Sequence, residues 1–356
     1  MTLSIALSTL KSARWPEAIF GPDQSAIESS YREWAKLVHE DLVPVADKPA
    51  AHEAFLLLTK WREQAEAKVA RGTYGDNRPA IFATLRTKTA VYDLTNLLKE
   101  QDIACLYEGV SDKGVPVVVK VCRSPANNDL MKAEADLLAK LPATLDPKHC
   151  AYFSNLLDSF ETQNGRIKVR TNVFSFMTGA VSLAEVRNAY PKGLDPKDAA
   201  WMWNRMLEAL HLLHIQGIVH ANLTPDNFLI VPDTHQGVLI DFCCARKTGQ
   251  TAKAINLAWN GFYPPEVLAK KPLDFSSDIC MVGYCMNYLL GASPSSLSTV
   301  PNGVPLALAG LMKSCWLGQA HRSHSARQLH AEFKDVRKAL GWSSAFRPFS
   351  LPSASS

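Results

Sequence analysis

The sequence lacks four features that would assign it to other classes of protein. It contains no uninterrupted run of about 18 apolar residues, so we expect no membrane-spanning helix. Its eight cysteines show neither zinc-type spacing nor a disulfide framework, which favours a reducing, cytoplasmic setting. Lys and Arg are not gathered beside aromatic residues, and the net charge is only +4, so nucleic acid is not an expected partner. The apolar N-terminus has no basic segment or clear cleavage site, so we expect no secretory signal.

Length and composition indicate a folded protein with more than one domain. At 356 residues, with 47% hydrophobic and 20% charged residues, the chain is long enough to bury two cores. Turn-forming residues between Tyr74 and Pro79 mark the expected boundary. We therefore predict a helical domain over 1–75, a linker over 76–79, a larger domain over 80–342, and a poorly ordered Ser/Pro-rich tail over 343–356.

Two helices are predicted in the N-terminal region. Apolar residues recur at helical spacing from Ser25 to Glu40 and again from Ala46 to Arg71, where Gly72 is a plausible stop. A short loop containing Pro44 separates the two segments. Their facing apolar stripes predict an antiparallel helical hairpin.

This region resembles a J-domain, the module that stimulates ATP hydrolysis by DnaK-type chaperones. The resemblance covers about residues 12–75 and rests on Ile19-Phe20-Gly21, on Tyr31 to Leu37, and on a loop that begins at His39. The family's His-Pro-Asp signature reads His39-Glu40-Asp41 here, and the glutamate adds negative charge where proline would fix the backbone. A DnaK-type chaperone is therefore an expected partner only if the altered loop still functions. A J-like fold without stimulation, one with stimulation, and an unrelated helical hairpin all fit the sequence.

Two polar residues mark the ends of an expected β-hairpin in the larger region. An apolar strand over 228–231, a turn over 232–237 and a second apolar strand make up this hairpin. Asn227 precedes the first strand and Asp241 follows the second. Amide and carboxylate oxygens are ligands that suit a hard cation, so this pair predicts a Mg²⁺ site.

A lysine stands inside an apolar strand, and a glutamate stands on the apolar face of the next helix. Lys120 interrupts the strand over 117–121, and Glu134 shares a face with Leu137, Leu138 and Leu141. Burying either charge alone would be costly, so we expect the two side chains to pair. The alternative is an edge-strand lysine whose ammonium group extends to solvent.

The region from 80 to 342 resembles the protein kinases. Their catalytic loop reads H-R-D-L-x-x-x-N and their metal-binding loop D-F-G, and this chain has His220-Ala221-Asn222-Leu223 ending at Asn227, then Asp241-Phe242-Cys243. The resemblance implies an α+β, bilobal fold with a small β-rich lobe and a helical lobe. It also implies that Lys120 and Glu134 serve ATP binding, and that the metal ligands hold Mg²⁺.

Further positions follow from the same resemblance. The segment over 173–177 would be the hinge beside the adenine, which assigns Phe176 and Met177 to cofactor binding. Glu266, after Tyr263-Pro264-Pro265, would form a structural ion pair with Arg322. Asp278 would brace the catalytic loop that contains His220.

The sequence departs from the kinase pattern on the side of the site that performs transfer. Asn222 occupies the position of the catalytic base, and an asparagine does not accept a proton at neutral pH. Thr224 replaces the loop lysine, and Cys243 replaces the glycine of D-F-G. The hairpin over 100–104, which should cover the phosphates, contains no glycine. Asp226 is interpreted as a turn residue that points away rather than as a substitute base.

These departures predict an ATP- and Mg²⁺-binding pseudokinase that acts as a regulatory or scaffold module fused to a degenerate J-like domain. Two alternatives stay open. One is a divergent Ser/Thr protein kinase, since metal electrostatics and positioning supply much of phosphoryl transfer. The other is a different transfer from ATP, such as nucleotidylation, on the same metal site.

Overall fold

The computed structural model describes residues 3–13, 15–75, 81–164, 167–322, 325–343 and 346–352. The chain forms two compact units, one chiefly of Met1–Asn96 and the other of Leu97–Leu351. The predicted linker at 76–79 lies outside the described residues. In the part of the chain that is described, no helix combines the length and apolar character needed to cross a membrane.

The first unit contains one more long helix than the sequence analysis predicted. Its helices are α1 Leu3–Ser12, α2 Glu17–Phe20, α3 Ile27–Val38 and α4 Lys48–Ala70. Ala6 and Leu10 on α1 are buried, and the indole of Trp61 on α4 donates to the carbonyl of Leu10 at 3.0 Å. The expected two-helix hairpin is therefore incomplete, because the apolar N-terminus packs as a third helix against α4.

A buried ion pair joins α2 to α4 in this unit. The Lys68 ammonium contacts the Glu17 carboxylate, and both side chains are almost fully buried. The backbone N–H of Gly75 also donates to Glu17 Oε1 at 3.0 Å. Gly72, the predicted stop after α4, has a positive φ of 68°, a conformation that glycine adopts without strain.

The second unit begins inside a strand and contains an antiparallel sheet. The strands in chain order are β1 Ala83–Arg86, β2 Val91–Glu100, β3 Ala104–Ser111, β4 Pro116–Cys122, β5 Leu156–Asn164 and β6 Ile167–Ser175, of which β1 and most of β2 belong to the first unit. β1 pairs with the first half of β2 in the first unit, and the last residues of β2 belong to the second unit. From β3 the strand order is β3-β4-β6-β5, and helix α5 Asn128–Thr144 packs against β5 and β6.

The rest of the second unit is mostly helical, so the predicted α+β class is confirmed. The helices are α6 Leu183–Ala189, α7 Pro196–His214, α8 Pro265–Leu268, α9 Phe275–Leu289, α10 Leu306–Cys315 and α11 Ala326–Ala339. The short strands are β7 Val181–Ser182, β8 Ile218–Val219, β9 Phe228–Val231, β10 Gln236–Leu239 and β11 Arg246–Lys247. Trp203 on α7 is fully buried and donates to the Val282 carbonyl of α9 at 2.9 Å, which joins the two central helices.

The tail departs from the prediction that it is poorly ordered. Within the described residues, the Phe349 ring is nearly buried and its centroid lies 5.8 Å from that of Tyr190. The guanidinium of Arg347 approaches Asp198 at 2.9 Å and Asp195 at 3.5 Å. The Ser/Pro-rich composition concealed one aromatic and one basic residue that anchor this segment on the helical part.

Candidate functional site

Lys120 and Glu134 form the centre of the site. The Lys120 ammonium lies 2.9 Å from Glu134 Oε1 and 3.0 Å from Oε2, and both side chains are buried. β4 supplies the lysine and α5 the glutamate, so the contact ties the helix to the sheet. The predicted pair is confirmed, and the snorkelling alternative is wrong because the lysine sits in an inner strand.

Asp241 also pairs with Lys120. The ammonium lies 2.6 Å from Asp241 Oδ1, and the aspartate has a left-handed backbone with φ 61°. Burial alone would raise the pKa of Asp241, but the charge and hydrogen bond of Lys120 outweigh it and hold that pKa below its usual value. Burial likewise opposes the charge on Lys120, yet its carboxylate neighbours raise the pKa of the ammonium well above the ordinary value. The pair is therefore ionised.

Cys243 lies where the kinase pattern has glycine, and its thiol completes the surroundings of Lys120. The sulfur is 3.2 Å from the ammonium and is fully buried. Ligand atoms of Glu134, Asp241 and Cys243 all lie within 4.8 Å of one another, and the Lys120 ammonium contacts all three. Burial raises the pKa of the Cys243 thiol well above its ordinary value. The thiol is thus a neutral neighbour, and Lys120 supplies the positive charge in this cluster.

The loop from His220 is held from beneath by Asp278, as predicted. The two oxygens of this buried carboxylate accept from the backbone N–H groups of His220 at 2.7 Å and Ala221 at 2.9 Å. Ala221 adopts a positive φ of 61°, which is rare for a residue with a Cβ. The two hydrogen bonds to Asp278 hold the loop in that conformation.

The His220 ring is committed to the loop and does not face a reacting group. Its Nδ1 accepts from the Asn222 N–H at 3.3 Å, so Nε2 carries the proton and donates to the Ile240 carbonyl at 3.1 Å. Burial lowers the pKa of His220, which keeps the ring neutral. The assignment of His220 as a catalytic residue gains no support from these contacts.

Asn222 is held at both ends of its side-chain amide. Its Nδ2 donates to Asp241 Oδ2 at 3.0 Å, and its Oδ1 accepts from the Tyr263 hydroxyl at 2.6 Å. Burial raises the pKa of Tyr263, so the hydroxyl remains protonated and acts as the donor. The one acceptor atom of this side chain therefore already accepts a hydrogen bond.

The side-chain oxygen of Asn227 accepts no hydrogen bond from the described part of the chain. Its Nδ2 donates to the Asn222 carbonyl at 2.9 Å, while its buried Oδ1 has no hydrogen-bond partner within the described ranges. Orphaned buried acceptors are rare in folded proteins. β9 and β10 pair as the predicted hairpin and carry Asn227 and Asp241 at its open end. These oxygens fit Mg²⁺, which prefers carboxylate and amide ligands.

Asp226, interpreted from the sequence as a turn residue that points away, lies in a short helical turn, and its side chain is largely buried. Its Oδ2 accepts from the Trp259 indole N–H at 2.6 Å and lies 2.6 Å from the Lys99 ammonium. Lys99 comes from the end of β2, next to the glycine-free turn. The carboxylate therefore links this hairpin to the catalytic loop and to the segment before α8. These contacts agree with the expectation that Asp226 is not a substitute base.

The predicted hinge residues Phe176 and Met177 come directly after β6, and the predicted structural ion pair is formed. Phe176 follows β6 directly, and its backbone N–H donates to the Pro116 carbonyl at 3.4 Å. The Met177 carbonyl accepts from the N–H of Ala180 at 3.2 Å. Their role in binding adenine stays a prediction. Glu266 and Arg322 form the expected buried ion pair, with Arg322 Nη2 and Glu266 Oε2 at 3.4 Å.

Sequence reasoning missed three residues of the site. Asn172 on β6 donates to Glu134, Tyr263 donates to Asn222, and Lys99 contacts Asp226. Asn172 offered a signal, since it interrupts a β-type run that ends in Val173 and Phe174. Tyr263 and Lys99 offered none, because their contacts form only in the folded chain.

Comparison with known proteins agrees with this geometry. Residues 102–344 match the family described as "Protein kinase domain". The chain is 26% identical over 225 residues to calcium/calmodulin-dependent protein kinase type 1 of Caenorhabditis elegans, covering 61% of this chain and 60% of that protein. It is 26% identical over 218 residues to the serine/threonine-protein kinase fused of Drosophila melanogaster, covering 59% of this chain and 25% of that protein.

A third relative has a higher sequence identity to this chain, over a shorter stretch. The chain is 34% identical over 100 residues to calcium/calmodulin-dependent protein kinase type 1 of Macrobrachium nipponense, covering 28% of this chain and 29% of that protein. It spans less than two thirds of the length of each of these relatives. Because the family match extends over more than half of the chain and the kinase-type Lys–Glu pair is assembled, this chain belongs to the protein kinase domain family.

Proposed function

We propose that the kinase domain is an ATP–Mg²⁺-binding pseudokinase, which acts as a regulatory or scaffold module and transfers phosphate poorly or not at all. One observation carries this proposal. The Asn222 amide, at the position of the catalytic base, bridges the Tyr263 hydroxyl and Asp241 Oδ2. An amide lacks the basicity to take a proton from a substrate hydroxyl, and this amide is already held at both ends by neighbouring side chains.

Neighbouring side chains do not replace the missing base. The Asp226 carboxylate accepts from Trp259 and pairs with Lys99, and the His220 ring is bonded at both nitrogens. General-base catalysis contributes about 10²- to 10⁴-fold to a typical rate. The loss at Asn222 is therefore sufficient to separate nucleotide binding from efficient transfer.

The nucleotide and metal side of the site is retained. Asn227 Oδ1 is free to ligate, and the Asp241 carboxylate keeps lone pairs beyond those that Lys120 and Asn222 engage. Asn227 and Asp241 would hold Mg²⁺, which would supply positive charge to neutralise the phosphates. Lys120, already ionised and fixed by Glu134, would offer its ammonium to the phosphates.

Weak Ser/Thr phosphoryl transfer is the second candidate function. The assembled Lys120–Glu134 pair favours it, since kinases need this pair in place for transfer. One of the relatives named above is a serine/threonine-protein kinase, but its substrates belong to that protein. The two candidates share ATP binding and differ in the fate of the γ-phosphate.

Titration calorimetry with ATP, with and without Mg²⁺, tests the binding half of the proposal. We expect Mg²⁺-dependent binding by the full chain, and at least about a hundredfold weaker binding by Asp241→Asn, which keeps the shape but removes the charge. Asp136→Asn, on an exposed ion pair of α5, is the matched control and should bind as the unaltered chain does. If Asp241→Asn binds equally well, the metal assignment is wrong.

We also propose that residues 1–75 form a J-like module whose stimulation of a DnaK-type chaperone is lost. His39 Nδ1 accepts from the Asp41 N–H at 3.3 Å, and Glu40 Oε1 lies 2.5 Å from His52 Nδ1. The Glu40 side chain is thus bonded to His52 on α4, whereas the His39 side chain is half exposed and the Asp41 side chain is mostly exposed. This arrangement supports a loop that no longer serves a chaperone.

Glu40→Pro is the informative variant of this loop. His39 has ψ 129°, the extended conformation that a residue before proline prefers, and position 40 opens a helical turn that tolerates proline. We expect the full chain to leave the ATPase rate of a DnaK-type chaperone unchanged and Glu40→Pro to raise it at least about twofold. Glu40→Gln, which removes the charge alone, should have no effect. Stimulation by the unaltered chain would contradict the proposed loss.

A further inference from the structure

A buried asparagine on β6 stands beside the Lys120–Glu134 pair. Asn172 is fully buried, and the β4–β6 pairing places it directly opposite Lys120. Residues opposite each other in a sheet project from the same face, so both side chains reach toward α5 from neighbouring positions. An apolar residue would fill this site without the cost of burying an amide.

All the hydrogen-bonding groups of the Asn172 amide are satisfied. Nδ2 donates to Glu134 Oε2 at 3.0 Å and to the Met131 carbonyl at 2.9 Å, and Oδ1 accepts from the Ser159 hydroxyl at 2.8 Å. Met131 lies one helical turn before Glu134 on α5. The Asn172 amide therefore donates to a backbone carbonyl and to a side chain of the same turn of α5. These two hydrogen bonds limit the rotation of α5 as well as its distance from the sheet.

The hydrogen bond from Asn172 also completes the set of donors around the Glu134 carboxylate. Lys120 reaches both oxygens, the Phe242 N–H donates to Oε1 at 3.0 Å, and Asn172 donates to Oε2. Each oxygen thus has a second donor besides lysine. Without Asn172, Oε2 would depend on Lys120 together with the weak Cys243 thiol at 3.5 Å.

We propose that Asn172 is a positioning residue that holds Glu134, and through it Lys120, in the geometry for binding nucleotide phosphate before any nucleotide arrives. Its role in affinity rests on the proposed ATP binding, whereas its role in holding Lys120 does not. The proposal therefore needs one measurement on Lys120 itself and one on ATP affinity.

The full chain labelled with ¹⁵N-lysine provides the first measurement. Exposed ammonium protons exchange rapidly with water, whereas the buried ammonium groups of Lys120 and Lys68 should give slowly exchanging signals. Lys68, paired with Glu17 in the other unit, is an internal reference. We expect Asn172→Leu, a substitution of similar volume, to accelerate exchange at Lys120 at least about tenfold and to leave Lys68 unchanged.

Thr171→Val is the matched control. Thr171 is equally buried and adjacent, but it projects from the opposite face and bonds to Thr162 at 2.6 Å. Exchange at Lys120 should match the unaltered chain in this variant. If Asn172→Leu does not fold, Ser159→Ala replaces it, because it removes the hydrogen bond that orients the Asn172 amide and should produce a smaller acceleration.

ATP–Mg²⁺ affinity provides the second measurement. Asn172→Leu should weaken binding about tenfold, while Thr171→Val should not. Lys120 exchange that is equal in Asn172→Leu and the unaltered chain would overturn the proposal. Faster exchange in a chain that binds no ATP even when unaltered would uphold the positioning role and refute the proposed nucleotide binding instead.

Discussion

Lys120→Met is expected to lower the free energy of unfolding of the larger unit by about 3–5 kcal/mol. The Lys120 ammonium is the cation shared by Glu134 and Asp241, and its removal leaves one buried and one largely buried carboxylate without their shared partner. Breaking a buried ion pair from one side costs far more than the intact pair contributes, because the remaining charge stays desolvated. The melting temperature should fall by about 10 °C for a unit of this size.

Lys132→Met provides the comparison. Lys132 also pairs with an aspartate, Asp136 at 2.7 Å, but both side chains are more than half exposed. Exposed pairs of this kind contribute less than about 1 kcal/mol. The melting temperature of full-length Lys120→Met should therefore be clearly lower than that of full-length Lys132→Met. Equal melting temperatures would mean that the charge cluster is not closed as described.

Asn222→Asp is expected to make the stability of the larger unit depend on Mg²⁺. Asn222 Nδ2 lies 3.0 Å from Asp241 Oδ2, so a carboxylate at position 222 would replace a hydrogen bond with repulsion between two buried anions. We expect a loss of about 3 kcal/mol in a chelating buffer, and recovery of most of it when Mg²⁺ binds between the carboxylates and the Asn227 oxygen. Melting curves with EDTA and with Mg²⁺ measure both effects.

The same substitution returns a proton acceptor to the loop. Because the glycine-free hairpin and Thr224 remain, we expect phosphoryl transfer to rise by about 10²-fold, the lower end of what a general base contributes. Asn222→Ala removes the side-chain hydrogen bonds of Asn222 without adding a charge. It therefore separates the effect of the lost hydrogen bonds from the effect of the new carboxylate. It should be destabilised by about 1–2 kcal/mol without any dependence on Mg²⁺. A Mg²⁺ response equal in both variants would count against the proposed metal position.

The contacts that were predictable from sequence share a physical origin. Lys120 and Glu134 each stood in an apolar segment where a lone charge would be costly, so each required a partner. Asn227 and Asp241 were brought together by a hairpin whose length could be read directly. Local patterns of this kind constrain partners strongly, which is why the Lys120–Glu134 contact was predictable from the sequence.

Other contacts depend on folded geometry that no local pattern encodes. The Tyr263 hydroxyl reaches Asn222 only because the chain returns after 41 residues to the same loop. Asn172 interrupts a β-type run, but its partners on α5 are not encoded near it in the sequence. Helix α1 and the anchored tail were missed because an apolar terminus and a Ser/Pro-rich end suggested segments without tertiary partners.

The most direct test of the account follows the γ-phosphate in a single turnover. The full chain, in excess over γ-labelled ATP with Mg²⁺, is compared with Asp241→Asn for label on itself and on a generic Ser/Thr substrate, and α-labelled ATP is run in parallel. We expect ATP to be bound, while neither label is transferred above the level of Asp241→Asn. Transfer of the γ-label that disappears in Asp241→Asn would contradict the pseudokinase proposal, and transfer of the α-label would identify nucleotidylation instead.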